Sequence, residues 1–412
     1  MFVSVLALAL VLVIAVVWQH RWAPAAGALA GLGAAVASGV ADANDLRRGL
    51  EELWRPAIGI VGIMVTTACA AELGVFTRIA AAIEPRTRGP VRGAFRFVFV
   101  IAALAAATLS NDAAILLLTP VVVELLRTVY PKRNPKFVVP FAFAVFVAAG
   151  VAPLPTGNPM NFVVAHRAGI GFNAYALVMI PVAVVGWLVA YHVLAWQFRD
   201  VLADEAPALG GAPPAPAPLG RHAILVLAIA GASLAAYPVL AALATPIWPV
   251  AAIAGAACVG VVAHAKGNVA RVADGVSWEL VPFLFGILVL AAVLARGGVT
   301  AHLAEAYAAT PAPIASVGTV GAVGSALVGN HAMALIHSHA LAGGPDALVL
   351  AALVGGDLGP RLLPIGSLAG LLWIQQLRRS GVTIPLRTFV TVGAVVTVPS
   401  LAASLAALWL VG

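Results

Sequence analysis

From Phe2 to the C-terminus the chain is a succession of apolar stretches, each of about the 17–25 residues that a helix needs to cross a bilayer. Nothing else restricts its fold as tightly. A span surrounded by lipid must satisfy its own backbone hydrogen bonds, and a helix does so within one segment. The chain therefore reads as an all-α polytopic membrane protein. Charged residues make up only 9% of the 412, against about a quarter in soluble domains. The net charge of +7 is then a matter of topology and implies no nucleic-acid partner. Phe2–Val17 has no basic region before it and further spans after it, the pattern of a first membrane helix and not of a cleaved signal. Cys69 and Cys258 sit in distant apolar spans and give neither a disulfide framework nor a thiolate metal site.

One segment near the C-terminus breaks the apolar pattern: Gly355-Gly356-Asp357-Leu358-Gly359-Pro360-Arg361-Leu362-Leu363-Pro364-Ile365-Gly366-Ser367. It sets an acid and a base four residues apart among helix breakers. Charge within a bilayer is costly and is seldom kept without a task. Glycine and proline at that depth mean a broken helix, tolerated where the backbone is buried in protein or lines a cavity. The segment predicts a transport site in a broken helix over about 346–377.

A stiff Pro/Ala-rich linker, 199–221, divides the chain into nearly equal halves, 1–198 and 222–412. Weak matches recur in the same order in both halves. Glu72-Leu73-Gly74-Val75 resembles Arg296-Gly297-Gly298-Val299, and Ser110-Asn111-Asp112-Ala113 faces Gly329-Asn330-His331-Ala332. Pro155-Thr156-Gly157-Asn158 then corresponds to Pro364-Ile365-Gly366-Ser367. An ordered internal repeat is a transporter signature.

Basic residues orient the repeats. Arg78, Arg86, Arg88, Arg92 and Arg96 precede the apolar run 97–126, and Arg127, Lys132, Arg133 and Lys136 follow it. Basic loops belong in the cytoplasm, so the run must enter and leave by the same face. We expect a re-entrant hairpin at about 97–126 and its counterpart at about 312–342, entering from the opposite face. A broken helix at about 137–165 pairs with that at 346–377. The two repeats are thus inverted, with both termini outside, the linker cytoplasmic, and most of the 23 Lys and Arg residues in cytoplasmic loops.

Three segments carry a family resemblance. Ser110-Asn111-Asp112-Ala113-Ala114-Ile115-Leu116-Leu117-Leu118-Thr119-Pro120 resembles the first hairpin of the arsenite efflux permeases, the ArsB family of the ion transporter superfamily. Ala152-Pro153-Leu154-Pro155 with Asn158, Asn161 and Gly169-Ile170-Gly171-Phe172 resembles the next family segment, and Gly356 to Trp373 is the strongest match. Thr156-Gly157-Asn158-Pro159, Gly329-Asn330-His331-Ala332 and Arg361 depart from the usual pattern and bear on substrate choice. The resemblance implies proton-driven extrusion of arsenite and antimonite across the bacterial inner membrane, without a cofactor. A soluble arsenite-stimulated ATPase is a candidate partner docking on cytoplasmic loops. In sodium-coupled relatives a cation sits at each hairpin; Arg361 would be a fixed charge standing in for one of them.

Arsenite near neutral pH is a small uncharged trihydroxide, so its site needs hydrogen-bonding groups and little net charge. Ser110, Asn111, Asn158, Asn161, Asn330, His331, Gly366 and Ser367 are the candidate substrate contacts. Asn158 and Asn330 are equally well read as hinges, and Asp112 as a helix cap. Coupling needs a group that exchanges a proton: Asp112, Asp357 or His331, with Asp112 favoured if Arg361 lies beside Asp357 and holds it ionised. His331, His337 and His339 set no clean pair on one helical face and make no metal site. No His-Glu-x-x-His, Gly-x-Ser-x-Gly or P-loop pattern appears, so an enzyme is not expected. The alternative is a sodium/proton antiporter or organic-anion carrier of the same superfamily.

Overall fold

The computed structural model describes residues 14, 18, 20–75, 78, 90–130, 134–204 and 218–412. Most of the expected first span Phe2–Val17, the basic loop residues Arg86, Arg88, Lys132 and Arg133, and linker residues 205–217 lie outside them. The described residues form helices and no strand.

The first half contributes α1 (Ala23–Ala37), α2 (Ala43–Glu72), α3 (Val91–Thr108) and α4 (Asn111–Val129). It continues with α5 (Asn134–Ala148), α6 (Pro159–Ala168), α7 (Phe172–Gln197) and the short α8 (Arg199–Leu202). The second half contributes α9 (Arg221–Ala242), α10 (Trp248–His264), α11 (Val269–Asp274), α12 (Leu280–Arg296) and α13 (Val299–Ala308). It ends with α14 (Pro313–Val328), α15 (Asn330–Ala340), α16 (Asp346–Leu358), α17 (Leu368–Arg379) and α18 (Leu386–Val411).

Among the described residues α2, α3, α7, α9 and α18 are long and apolar enough to cross a membrane. A sixth span is formed if α12 and α13 are joined across their 72° bend. Gly298 makes that bend at φ +85°, a conformation open to glycine without a Cβ clash. The chain is a multi-pass membrane protein.

Sequence chemistry explains where helices stop. Gly329 separates α14 from α15 at φ +89°, again a glycine conformation. Two interruptions share one local design: a Pro-x-Gly turn of 3-10 helix at Pro155–Gly157 before α6, and at Pro364–Gly366 before α17. In each, the leucine before proline is forced extended, at φ −122° for Leu154 and −139° for Leu363. The residue after the turn is an extended N-cap: Asn158 accepts from Met160 N at 3.1 Å, and Ser367 Oγ from Gly370 N at 3.0 Å. The glycine of each turn packs on the helix before a break. A Cβ on Gly157 would lie 3.4 Å from Ala106 O, and one on Gly366 3.0 Å from Ser325 O. Ala106 and Ser325 each stand five residues before an asparagine at a helix start, Asn111 and Asn330.

The halves interleave. α2 packs along α10, α7 along α18, and α1 along α12. Small residues permit the closest crossings, the usual means of bringing helices together in lipid. At the α2–α10 crossing Gly62 and Gly255 meet with no side chain between them. At the α14–α16 crossing Gly355 meets the backbone of Gly318 and Gly321 in the same way. An aromatic core holds α5 to α17 and α18: Phe146 stacks on fully buried Trp373 at 4.7 Å, and Phe143 and Phe389 meet the same indole edge-on.

Polar contacts gather at opposite ends of α2. Near its start, Arg296 pairs with Asp45, Arg167 pairs with Glu52, and His339 Nδ1 lies 3.3 Å from Arg167. At its far end Glu72 accepts from Asn268 N at 2.9 Å. Lys136 and Asp204 pair at 2.9 Å, and Arg127 donates to Ser380 O.

Candidate functional site

The interruptions between α5 and α6 and between α16 and α17 bring their polar groups to one carboxylate. Asp357, in the last turn of α16, is 6% exposed. Its Oδ1 accepts from Asn158 Nδ2 at 2.6 Å, and its Oδ2 from Ala152 N and from Asn161 Nδ2, both at 2.9 Å. Asn158 and Asn161 are three residues apart at the start of α6, one helical face, so both amides reach the same acid. Tyr175 on α7 completes the network: its hydroxyl accepts from Asn161 at 2.8 Å and donates to Ala152 O at 3.0 Å. Asn161 Oδ1 and the nearby Ser325 Oγ are buried without a partner among the described residues. Ser325 stands beside Gly356, where an added Cβ would lie 3.8 Å from its oxygen.

Arg361 is not Asp357's ion-pair partner. Among the described residues no salt bridge within 4.0 Å joins them. The two charges still act on one another across the buried region, but without a direct ion pair, because the helix does not continue between them. Gly359–Arg361 tightens into a 3-10 turn, which rotates position 361 away from the face of 357. Arg361 Nη2 instead donates to Val147 O at the end of α5. Two glycines make room for it. A Cβ at Gly150 would strike the guanidinium, and one at Gly393 would strike the Arg361 carbonyl. Its Nε and Nη1 are buried without a partner among the described residues.

The other residues singled out in the sequence fall in three places. Asn111, first residue of α4, donates to Gly150 O at 3.0 Å and ties the α3–α4 break to the α5–α6 interruption. Ser110 is buried at that same break, and Asp112 occupies the first turn of α4 with its side chain outside the described residues. Gly366 and Ser367 form the turn and cap before α17 and do not touch Asp357 through any hydrogen bond. Asn330 and His331 form a local pair at the start of α15: Asn330 Oδ1 accepts from His331 N at 3.0 Å and lies 2.9 Å from its Nδ1. His337 is bonded to Tyr307 OH at 2.6 Å, and no cluster of metal ligands occurs among the described residues.

Sequence reasoning missed Ala152 N, Tyr175 and Ser325. A backbone donor carries no sequence signal, and a tyrosine or serine within an apolar run is ordinary. The cysteines need a correction as well: α2 and α10 are packing neighbours, so Cys69 and Cys258 lie on adjoining helices and not in remote spans. Both are buried, free thiols.

A larger cavity of about 830 Å³ between α14 and α18 is lined by groups such as Ile314, Val323, Leu401 and Trp409. Its walls are apolar and it takes in none of the groups around Asp357.

The profile of the arsenical pump membrane protein family (ArsB) matches residues 1–411. The arsenical pump membrane protein of Escherichia coli strain K12 is 29% identical over 425 residues, covering 96% of each chain. That of Yersinia enterocolitica is 29% identical over 429 residues, covering 98% of this chain and 97% of its own. Among solved structures the fold is similar to that of the YdaH transporter of Alcanivorax borkumensis. The TM-score is 0.58 at 15% identity, over 90% of this chain and 89% of that one. Matched along almost its whole length, this chain belongs to the arsenical pump membrane protein family.

Proposed function

We propose that the chain exports arsenite and antimonite, as uncharged trihydroxides, across the bacterial cytoplasmic membrane in exchange for protons. The observation that carries this reading is the Asp357 carboxylate, buried between two interrupted helices from different halves and held by neutral donors. A carboxylate has about four lone-pair directions. Three are taken by Ala152 N, Asn158 and Asn161, which leaves one for an O–H of the cargo. Asn161 Oδ1 and Ser325 Oγ offer further acceptors beside it. A trihydroxide is rich in O–H donors and suits such a site.

Coupling follows from competition. Cargo binds while Asp357 is ionised and accepting. A proton arriving from outside takes the lone pair that the cargo used and turns that acceptor into an O–H donor pointing into the cargo's place. Cargo is released outward and the protonated carrier returns. Arg361 keeps the buried region from carrying uncompensated negative charge in the ionised state. Asp112 and His331 are the other groups able to take the proton.

The topology we propose has inverted repeats, each with a re-entrant hairpin (α3–α4, α14–α15) and a broken span (α5–α6, α16–α17). The matching Pro-x-Gly turns and the matching contacts of Gly157 and Gly366 support it. So does the sorting of polar contacts along α2: Asp45, Glu52, Arg167, Arg296 and His339 gather towards its start and Glu72 and Asn268 at its far end. In this reading the first group is outside and the second, with the linker, is cytoplasmic. An ATPase partner would dock on that second end.

The test is uptake into everted vesicles with arsenite, antimonite, sodium and succinate offered in turn under an imposed pH gradient. Arsenite accumulation that collapses with the gradient is expected. Movement of sodium or succinate without arsenite would replace the reading by a sodium/proton antiporter or an organic-anion carrier.

Two milder results are expected from the same assay. Tyr175→Phe removes one bond to Asn161 and one to Ala152 O, and the KM for arsenite should rise by about tenfold with kcat little changed. Replacing both Cys69 and Cys258 by alanine should leave transport nearly unaltered, because oxygen acceptors and not thiolates hold the cargo. Loss of transport in a well-folded double variant would favour thiolate ligation by the adjoining pair.

A further inference from the structure

We infer that arsenite reaches the site along a hydroxyl-lined path that begins in a vestibule at Glu72 and Arg271 and is gated by Thr67. This rests on the reading above that the cargo is an uncharged trihydroxide.

A cavity of about 260 Å³ lies among α2, α4 and the segment around α11. Its polar lining is graded from the surface inward. Arg271 is exposed, Glu72 and Ser277 are half-buried, and Thr67 and Ser110 are buried at its depth. Ser110 belongs to the α3–α4 break, so the floor of the cavity is that break. The rim is at the end of α2 that the proposed topology makes cytoplasmic. It carries one acid and one base, which leaves it without net charge for an uncharged solute.

A second cavity, of about 30 Å³, adjoins the first through a shared wall: Thr67 lines both. Its polar lining is a set of hydroxyls, Thr66, Thr67, Thr108, Thr156, Ser233 and Tyr237. Four of them give their proton away to their own helix. Thr66 donates to Gly62 O at 2.9 Å, Thr67 to Ile63 O at 3.0 Å, Thr108 to Leu104 O at 2.8 Å and Ser233 to Ile229 O at 2.9 Å. A hydroxyl bonded back in this way has only lone pairs left to offer. These four hydroxyls therefore accept and do not donate, the complement of a cargo that presents three O–H groups. Hydrated cations would find no carboxylate in the second cavity, and anions no donor from these four groups. Thr156 lies in the Pro-x-Gly turn two residues before Asn158, so one wall of the second cavity is the turn that leads into the Asp357 network. At 30 Å³ it holds about one water, so Thr67 must turn or α2 shift for cargo to pass.

The experiment compares wild type, Thr67→Val and Thr67→Ser for arsenite uptake into everted vesicles. Valine keeps the shape and removes the acceptor. The path predicts a KM raised about tenfold for Thr67→Val, near-wild-type behaviour for Thr67→Ser, and an unchanged pH profile in both. A second arm places Ser277→Cys in the protein lacking Cys69 and Cys258. A membrane-impermeant thiol reagent applied to the cytoplasmic face should label it and stop uptake. Normal arsenite uptake by Thr67→Val, or by fully labelled Ser277→Cys protein, overturns the path and leaves the proposed function standing. No arsenite uptake by wild type overturns both.

Discussion

Asp357→Asn is expected to abolish accumulation of arsenite against a gradient, a loss of at least about a hundredfold, while the protein still inserts and folds. The amide is nearly isosteric, yet it cannot reproduce the contacts. Asp357 presents acceptors to three N–H donors, from Ala152, Asn158 and Asn161. An asparagine oxygen can serve those on one side only, and its NH₂ then faces N–H on the other. A buried donor left unmatched costs about 1–3 kcal/mol. The lost proton site matters more for transport than that local cost. Downhill arsenite exchange should therefore persist, weakened, and the pH profile should flatten because the titrating group is gone. Asp357→Glu keeps the chemistry and moves it by one methylene, so partial activity with an altered pH optimum is expected. The measurement is arsenite flux in proteoliposomes with and without a pH gradient. Unimpaired gradient-driven accumulation in Asp357→Asn would shift the proton to Asp112 or His331.

Arg361→Ala should be the more damaging change to the fold. Arg361 is 3% exposed, and its side chain spans from the α16–α17 interruption to Val147 O and fills space that Gly150 leaves open. Truncation leaves that carbonyl unbonded, opens a void, and removes the positive charge from a buried region that still holds Asp357. Breaking a buried charge arrangement by removing one member typically costs about 3–5 kcal/mol. Yield of monodisperse protein and thermal stability in detergent should both fall, and transport with them. Arg361→Lys keeps the charge and should recover a part of each. If the double variant Asp357→Asn, Arg361→Gln regained full proton-coupled transport, neither charge would belong to the mechanism.

The helical class was legible because lipid leaves so few options for apolar segments of this length. The interruption around Asp357 was legible for a similar reason: Pro360 and Pro364 cannot continue an α-helix, and their chemistry is local. What local chemistry could not give was the partner of Asp357. Spacing of four suggests pairing with Arg361 only if the helix persists, and the same Gly-Pro step that announces the interruption rules that geometry out. The true partners come from the other half of the chain, 196 to 205 residues away. Asn158 and Asn161 were identifiable as polar groups at an interruption, but Ala152 contributes its backbone and Ser325 stands on a different helix. The same limit applies to Thr67 and Ser277, which look unremarkable until two helices and a loop enclose a cavity between them.

The crossing of α2 and α10 bears on how such a molecule can move. Gly62 and Gly255 meet backbone to backbone, so close that a single methyl at Gly62 would collide with the Ala251 carbonyl. Side chains usually act as the lubricating layer between helices, since they can change rotamer as neighbours slide. Here that layer is absent, and the two helices behave as one strut welded at mid-length across the halves. Relative sliding of these two helices is then blocked at the crossing, and displacement during a transport cycle falls to breaks in the frame such as the two Pro-x-Gly interruptions that flank the Asp357 network. The carboxylate sits between two breaks in this frame, so a change in its protonation acts directly on both.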